Sequence, residues 1–451
     1  MPQTKDHIGT RAIVAGGSLA GMLSARVLAD HFDEVLVLDR DRFADAPENR
    51  RMTPQSFHAH ILLKGGELAI EALLPGIVDE MRAHGAVPLE LGYSFIASND
   101  LGNAPRMHTG MFNLGQSRAQ IEFLLRRRVL SDCQRIKLRT QHTVRGLQLS
   151  ADGRRVTGAV IEDAAGVQTT EPADLVVDAG GRGAASLRWL AALGLSLPPV
   201  EEVVVDFGYS SSCFRLADDP SRDWVGLVAG TAPPRSYAGV LFPYEDGTHV
   251  CSVGGRFGQY PPTEPEPFLD YVQNIPGPMH STLAAAEFTA PIVSIRFESN
   301  RFRHFERHAE LVDGLLPIGD AVCSVNPTYG HGMSSTAKQV LSLHTVLRTR
   351  THNDLHQLVR QQLHEGATIA GTPWRAACFN DLRYAQTQGD RSMFSTAETA
   401  LRLRLSLLAQ RNPEFAMRLG RLGQLIDLDT DVLQDTELQA AAAEIELPPA
   451  P

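Results

Sequence analysis

The chain has 451 residues, 43% hydrophobic and 21% charged, a balance that excludes disordered and fibrous classes and predicts a globular protein of two or three lobes. A net charge of −10 without a dense Lys/Arg stripe argues against a nucleic-acid partner. Five scattered cysteines without a CxxC pair fit reduced thiols in a cytoplasmic protein; Met1 to Arg11 is too polar for a signal peptide, and no apolar run reaches transmembrane length.

In chain order, Arg11 to Ala15 reads as a short buried strand and Met22 to Ala29 as a helix, with Gly16-Gly17-Ser18-Leu19-Ala20-Gly21 between them. Val35 to Leu38 is a second strand, ending at Asp39. Strand, glycine-rich turn, helix and strand form a βαβ start. Asp41 to Phe57 is polar and proline-bearing, hence loop. Helices are predicted at Leu62 to Leu74 and Ser117 to Leu130, and Arg126-Arg127-Arg128 reads as a solvated helix face. Residues 137–171 suggest a small β-meander, and Leu175 to Val177 a buried strand before Asp178-Ala179-Gly180-Gly181-Arg182-Gly183.

Between 201 and 300 the texture changes to strand-like runs separated by Gly and Pro, with a proline-rich connector at Pro261 to Pro267. This predicts an antiparallel sheet domain inserted into an α/β domain. Leu315 to Ile318 returns as a strand, Ser334 to Leu347 is a helix, and the remainder is mostly helical with a frayed Pro448 to Pro451. The expected organisation is a Rossmann-like domain in two parts (1–200 and 301–350), the insert 201–300, and a C-terminal helical region 351–451.

The first glycine turn has a physical rationale. Gly16 permits the tight turn, Gly21 lets helix and strand pack closely, and the helix N-terminus offers free N–H groups to a pyrophosphate. Asp39, 18 residues after Gly21, stands where an acid accepts hydrogen bonds from an adenosine ribose. The middle glycine of the pattern is Ser18, whose hydroxyl is expected to add a phosphate bond.

The segment Gly319-Asp320 to Gly332-Met333 is the more informative. An Asp at a strand end can bind a polyol, and Pro327, Gly330 and Gly332 let backbone approach a flat ring. The helix start that follows carries about half a positive charge, which stabilises negative charge on a reduced flavin. The pattern G-D-x6-P-x2-G-x-G resembles the second FAD motif of the flavoprotein monooxygenases related to p-hydroxybenzoate hydroxylase. The resemblance implies that Asp320 binds the ribityl chain, that Gly330 to Met333 face the pyrimidine side of the flavin, and that Arg118 contacts the flavin. The family's Asp-Gly pair that meets FAD and NADPH has Gly180 at the Asp position here. Electrons are therefore expected from NAD(P)H directly or through a separate flavin reductase.

Pro54-Gln55-Ser56-Phe57-His58-Ala59-His60-Ile61-Leu62-Leu63, Asp174 to Gly183 with Trp189-Leu190, and Asn326 to Ser335 resemble, more narrowly, the bacterial polyether epoxidases of the lasalocid and monensin type, relatives of squalene epoxidase. That likeness implies insertion of one oxygen atom from O2 through a flavin C4a-hydroperoxide into a C=C bond of a small hydrophobic natural-product intermediate. Hydroxylation of an aromatic or heteroaromatic ring is the alternative, with Tyr209, Tyr244 and Arg215 as its polar candidates in the insert. Halogenation is a further one, although the three tryptophans are isolated and Lys64, within a helix, is a poor match for a halogenase lysine. A non-enzymatic flavin-fold binding protein is the reading from another class.

The expected FAD-binding residues are Gly16, Ser18, Leu19, Ala20, Gly21, Asp39, Arg40, Arg118, Asp320, Gly330, Gly332 and Met333. The expected catalytic positions are Pro327, His331 and Gly332. His58 and His60 are read as holding their loop, and no metal site is expected.

Overall fold

The computed structural model describes residues 7–50, 52–99, 102–349 and 354–447; the tail Pro448 to Pro451 lies outside them. Its first layer is a five-stranded parallel sheet in the order Leu315–Pro317, Leu175–Asp178, Gly9–Ala15, Phe32–Asp39, Ile136–Thr140. Parallel sheets are covered on both faces, so their strands are unbroken apolar runs. Ala12 to Ala15, Val35 to Asp39 and Leu175 to Asp178 are buried at every position. Register pairs Ala15 with both Leu38 and Asp178, and Asp178 with Pro317. The carboxyl ends of four strands therefore converge on one edge, where open α/β sheets bind ligands.

The second layer is a nine-stranded, largely antiparallel sheet. Its spine is formed by the long strands Val200–Arg215 and Val293–Arg303, followed by His249–Arg256, Ala238–Pro243 and Gly226–Gly230. It recruits segments outside 201–300. Phe95–Asn99 pairs in parallel with Gly226–Gly230, and Cys323–Ser324 pairs with Val293–Arg303. Both additions cover strand edges that would otherwise expose unpaired backbone groups. Two helices, Pro265–Val272 and Met279–Ala284, bury Phe268, Val272, Met279 and Leu283 against Phe214, Leu227, Leu241 and Val253.

Three local expectations need correction. The meander is Thr143–Leu149, Val156–Glu162 and Gln168–Pro172; Ile136–Thr140 is instead the edge of the parallel sheet. The proline-rich connector already contains a helix start, because Pro265 occupies a first-turn position where a missing N–H costs nothing. Arg126 is not solvated: it is 9% exposed, stacks on Phe43 and donates to the Ala44 carbonyl, whereas Arg127 and Arg128 pair with Glu80.

The helix Gly332–Thr349 packs against Lys64–Leu73 so closely that a Cβ on Gly66 would lie 2.5 Å from Ser334 Cα. Leu355–Leu382 and the shorter helices 396–443 follow, and Asp354, Ser395, Asn412 and Asp435 cap four of them through their side chains. The last helices share a separate small core of Leu405, Val432, Leu438 and Ala442. Among the described residues no helix is long and apolar enough to cross a membrane, and no His/Cys/Asp/Glu cluster could hold a metal ion.

Candidate functional site

At the parallel sheet's carboxyl edge, Gly16 adopts φ +113°, and a Cβ there would stand 2.5 Å from the Ala179 carbonyl oxygen. A Cβ on Gly21 would lie 1.7 Å from the Gly16 oxygen. Neither position tolerates a side chain. Ser18 N-caps the helix Leu19–Leu28 without bonding its N–H groups, so those donors face outward. Asp39 accepts from Gly17 N at 2.6 Å and Asp41 N at 2.8 Å, which fixes its carboxylate beside the turn.

The Ser18 hydroxyl is engaged within the protein. It donates to Glu122 and accepts from Arg118 Nη2 at 3.3 Å. Glu122 also receives Arg118 Nε at 2.9 Å and pairs with Arg50. Burial pulls the Glu122 carboxyl upward, yet the guanidinium charges of Arg118 and Arg50 hold it down to about 2. Glu122 lies one helical turn after Arg118, so its i,i+4 spacing was visible in the sequence. Arg50, from the predicted loop, carried no such signal.

At the other end, Gly319–Ala321 forms a turn that projects Asp320 into the same space. Burial raises the Asp320 carboxyl, opposed by the charges of Arg118, Arg182 and Arg303. Asp320 Oδ1 lies 3.6 Å from where Gly332 would carry a Cβ, so the acid and the helix start are neighbours. Asn326 Oδ1 accepts from Thr328 N at 3.1 Å and caps the turn Pro327–Tyr329, which ends at Gly330 with φ +68°.

Behind this loop is a buried network that the sequence did not announce. Asp381 accepts from Tyr329 OH at 2.6 Å and Asn300 Nδ2 at 2.7 Å, and pairs with Arg256 at 2.6 Å. Asn300 Oδ1 in turn accepts from Asn326 N at 2.6 Å. Asp381, from the helix Leu355–Leu382, thus ties the loop to the strands His249–Arg256 and Val293–Arg303.

One cavity of about 940 Å³ joins the two ends. Gly16, Ser18, Leu19, Ala20, Asp39, Arg40, Arg118, Asp320, Pro327, Gly330, His331, Gly332 and Met333 all line it; Gly21 lies outside and serves helix–strand packing. Burial lowers the His331 imidazole to about 4, so the ring is neutral. Phe207, Tyr209, Val228, Tyr237, Val240, Phe297 and Tyr384 wall the far end. Of the insert candidates, Tyr209 reaches the cavity; Tyr244 packs in a separate cluster with Phe95 and Phe242, and Arg215 is exposed beside Glu287. Lys64 pairs with Glu67, and among the described residues no lysine lines the cavity.

These residues fit FAD. Two glycines are required by backbone approach, an uncapped helix start opens on the cavity, and Asp320 is faced by arginine charges. The fold is shared with solved structures of flavin-dependent enzymes. The flavin-dependent brominase Bmp2 superposes with a TM-score of 0.69 at 15% identity, covering 97% of this chain and 98% of that one. PqsL, a probable FAD-dependent monooxygenase from Pseudomonas aeruginosa, gives 0.59 at 13% identity, covering 83% and 97%. No family profile matches the chain. Protein Rv3254 of Mycobacterium tuberculosis is 33% identical over 368 residues, 77% of this chain and 74% of that protein, and the chain belongs to its family.

Proposed function

We propose that this protein is an FAD-dependent monooxygenase that epoxidises a C=C bond of a small hydrophobic natural-product intermediate. The observation that carries this reading is one cavity lined by both glycine-rich motif segments and also by Phe207, Tyr209, Val228, Val240 and Phe297. Gly16 to Ala20 would hold the diphosphate, Asp39 and Arg40 the adenosine, Asp320 the ribityl chain, and Gly330 to Met333 the ring. Bound and reduced, FAD supplies the oxygen-activating chemistry. The chain orients the alkene with Phe207, Tyr209 and Phe297 and keeps water from the reacting end at Pro327, His331 and Gly332.

An alkene is itself the nucleophile, so no side-chain base is required. Ring hydroxylation gains from a base that removes a phenolic proton. One hydrogen-bonded route runs from Ser252 on the cavity wall through Ser211 to His58 Nδ1. Burial holds His58 down to about 4. An imidazole held this low is a weak base toward a phenol, whereas an alkene asks for none. Halogenation lacks a cavity lysine.

The electron donor is NAD(P)H, acting directly or through a flavin reductase. Asp178 does not replace the acid missing at Gly180, because its carboxylate is committed to Gly180 N at 3.0 Å and Ser186 N at 2.7 Å. Five free cysteines support a cytoplasmic setting. The test is purification for flavin absorbance, then product analysis with alkene and phenol substrates under NADPH, with and without a reductase. Protein that takes up no FAD overturns the reading; hydroxylated phenol with untouched alkene overturns epoxidation.

A further inference from the structure

His60 is used by no step above, yet it lines the cavity beside Arg118 and Ser18. Its Nδ1 donates to the His58 carbonyl at 2.9 Å, which fixes the tautomer. The remaining lone pair, on Nε2, faces Arg118 Nη1 at 3.1 Å. Burial, and then the Arg118 charge, press the imidazole down to about 3, so it stays a neutral acceptor.

All three nitrogens of the Arg118 guanidinium are thereby tethered: Nε on Glu122, Nη2 on Ser18 and Nη1 on His60. Glu122 supplies charge and Ser18 belongs to the glycine turn. His60 is the only one of the three anchors that comes from the loop crossing above this helix start. An arginine left with two anchors keeps its charge but regains side-chain freedom, and the planar fork loses its fixed direction.

We infer that His60 is a positioning residue for the cofactor, acting through Arg118: as a neutral acceptor it fixes the guanidinium between the glycine turn and Asp320, where an anionic dinucleotide passes. The inference rests on the FAD reading above and deepens it.

The test exploits the two ring positions. Glutamine can place an amide oxygen near Nε2, whereas asparagine reaches only the Nδ1 position and keeps the bond to His58. FAD dissociation from the holoenzyme is followed by the fluorescence of released flavin on dilution, with melting temperature recorded alongside. His60→Asn and His60→Ala are expected to raise the FAD dissociation constant about tenfold, the loss typical of a hydrogen bond to a charged group. His60→Gln is expected to stay within about threefold. Wild-type affinity in His60→Asn, or His60→Gln as weak as His60→Ala at unchanged melting temperature, overturns the inference. Arg118→Lys, alone and combined with His60→Asn, gives a second measurement. Non-additive losses support action through Arg118, and additive losses overturn it. A wild-type protein without flavin fails the FAD reading instead, so the two failures are distinguishable.

Discussion

The two ends of the cavity are built by opposite means. At the glycine turn, recognition belongs to backbone: N–H groups at a helix start, two positions where no Cβ fits, and charged side chains that neutralise one another. The far wall is built of side chains from strands distant in sequence, and one buried carboxylate, Asp381, ties two of those strands to the loop Pro327–Tyr329. Backbone recognition constrains few positions absolutely. Side-chain recognition constrains many positions loosely.

The sharpest way to break this contrast is Gly21→Val. A Cβ at 1.7 Å from the Gly16 oxygen cannot be relieved by a rotamer change. We expect insoluble or flavin-free protein, scored by absorbance after purification. Asp381→Ala is next. It leaves Arg256 charged and buried without its counter-ion and frees Tyr329 and Asn300, an expected loss of about 3–5 kcal/mol in denaturant unfolding. A loss near zero would show that the insert docks independently of this network.

Acid comes third. His58 and His331 are held near 4 in the folded protein by burial, against about 6.5 when unfolded. Between these values the unfolded state binds more protons, so stability falls as pH drops below about 6.5 and the loss levels off below about 4. From pH 7 to pH 5.5 these two contribute about 2–3 kcal/mol, and His60 and His249, which burial also lowers, add to the loss that urea unfolding at each pH measures. The smallest effect is expected for Ser18→Gly. It restores the usual middle glycine but removes a hydroxyl shared by Glu122 and Arg118, so FAD affinity changes by less than about fivefold in equilibrium titration.

Legibility followed the same division. The buried strands at Ala12 to Ala15, Val35 to Leu38 and Leu175 to Val177 were readable because a parallel sheet demands continuous apolar runs, and both glycine-rich turns because few residues survive those dihedrals. Ile136–Thr140 was misplaced because a short edge strand that is polar at alternate positions carries no local mark of parallel or antiparallel pairing. Arg126 was misread because the partner that buries it, Phe43, lies in a loop without periodicity.

The sequence by itself determined the α/β class, the two glycine-rich turns and the acid that ends the second strand, Asp39, since each is a local requirement written within about 25 residues. Only the tertiary structure decided that the Ser18 hydroxyl meets Glu122, that His60 anchors Arg118 from another segment, and that Asp381 ties the loop Pro327–Tyr329 to distant strands. Those choices depend on which charged groups meet when distant segments fold together. A hydrogen bond across more than fifty residues leaves no periodicity in the chain for a reader to find.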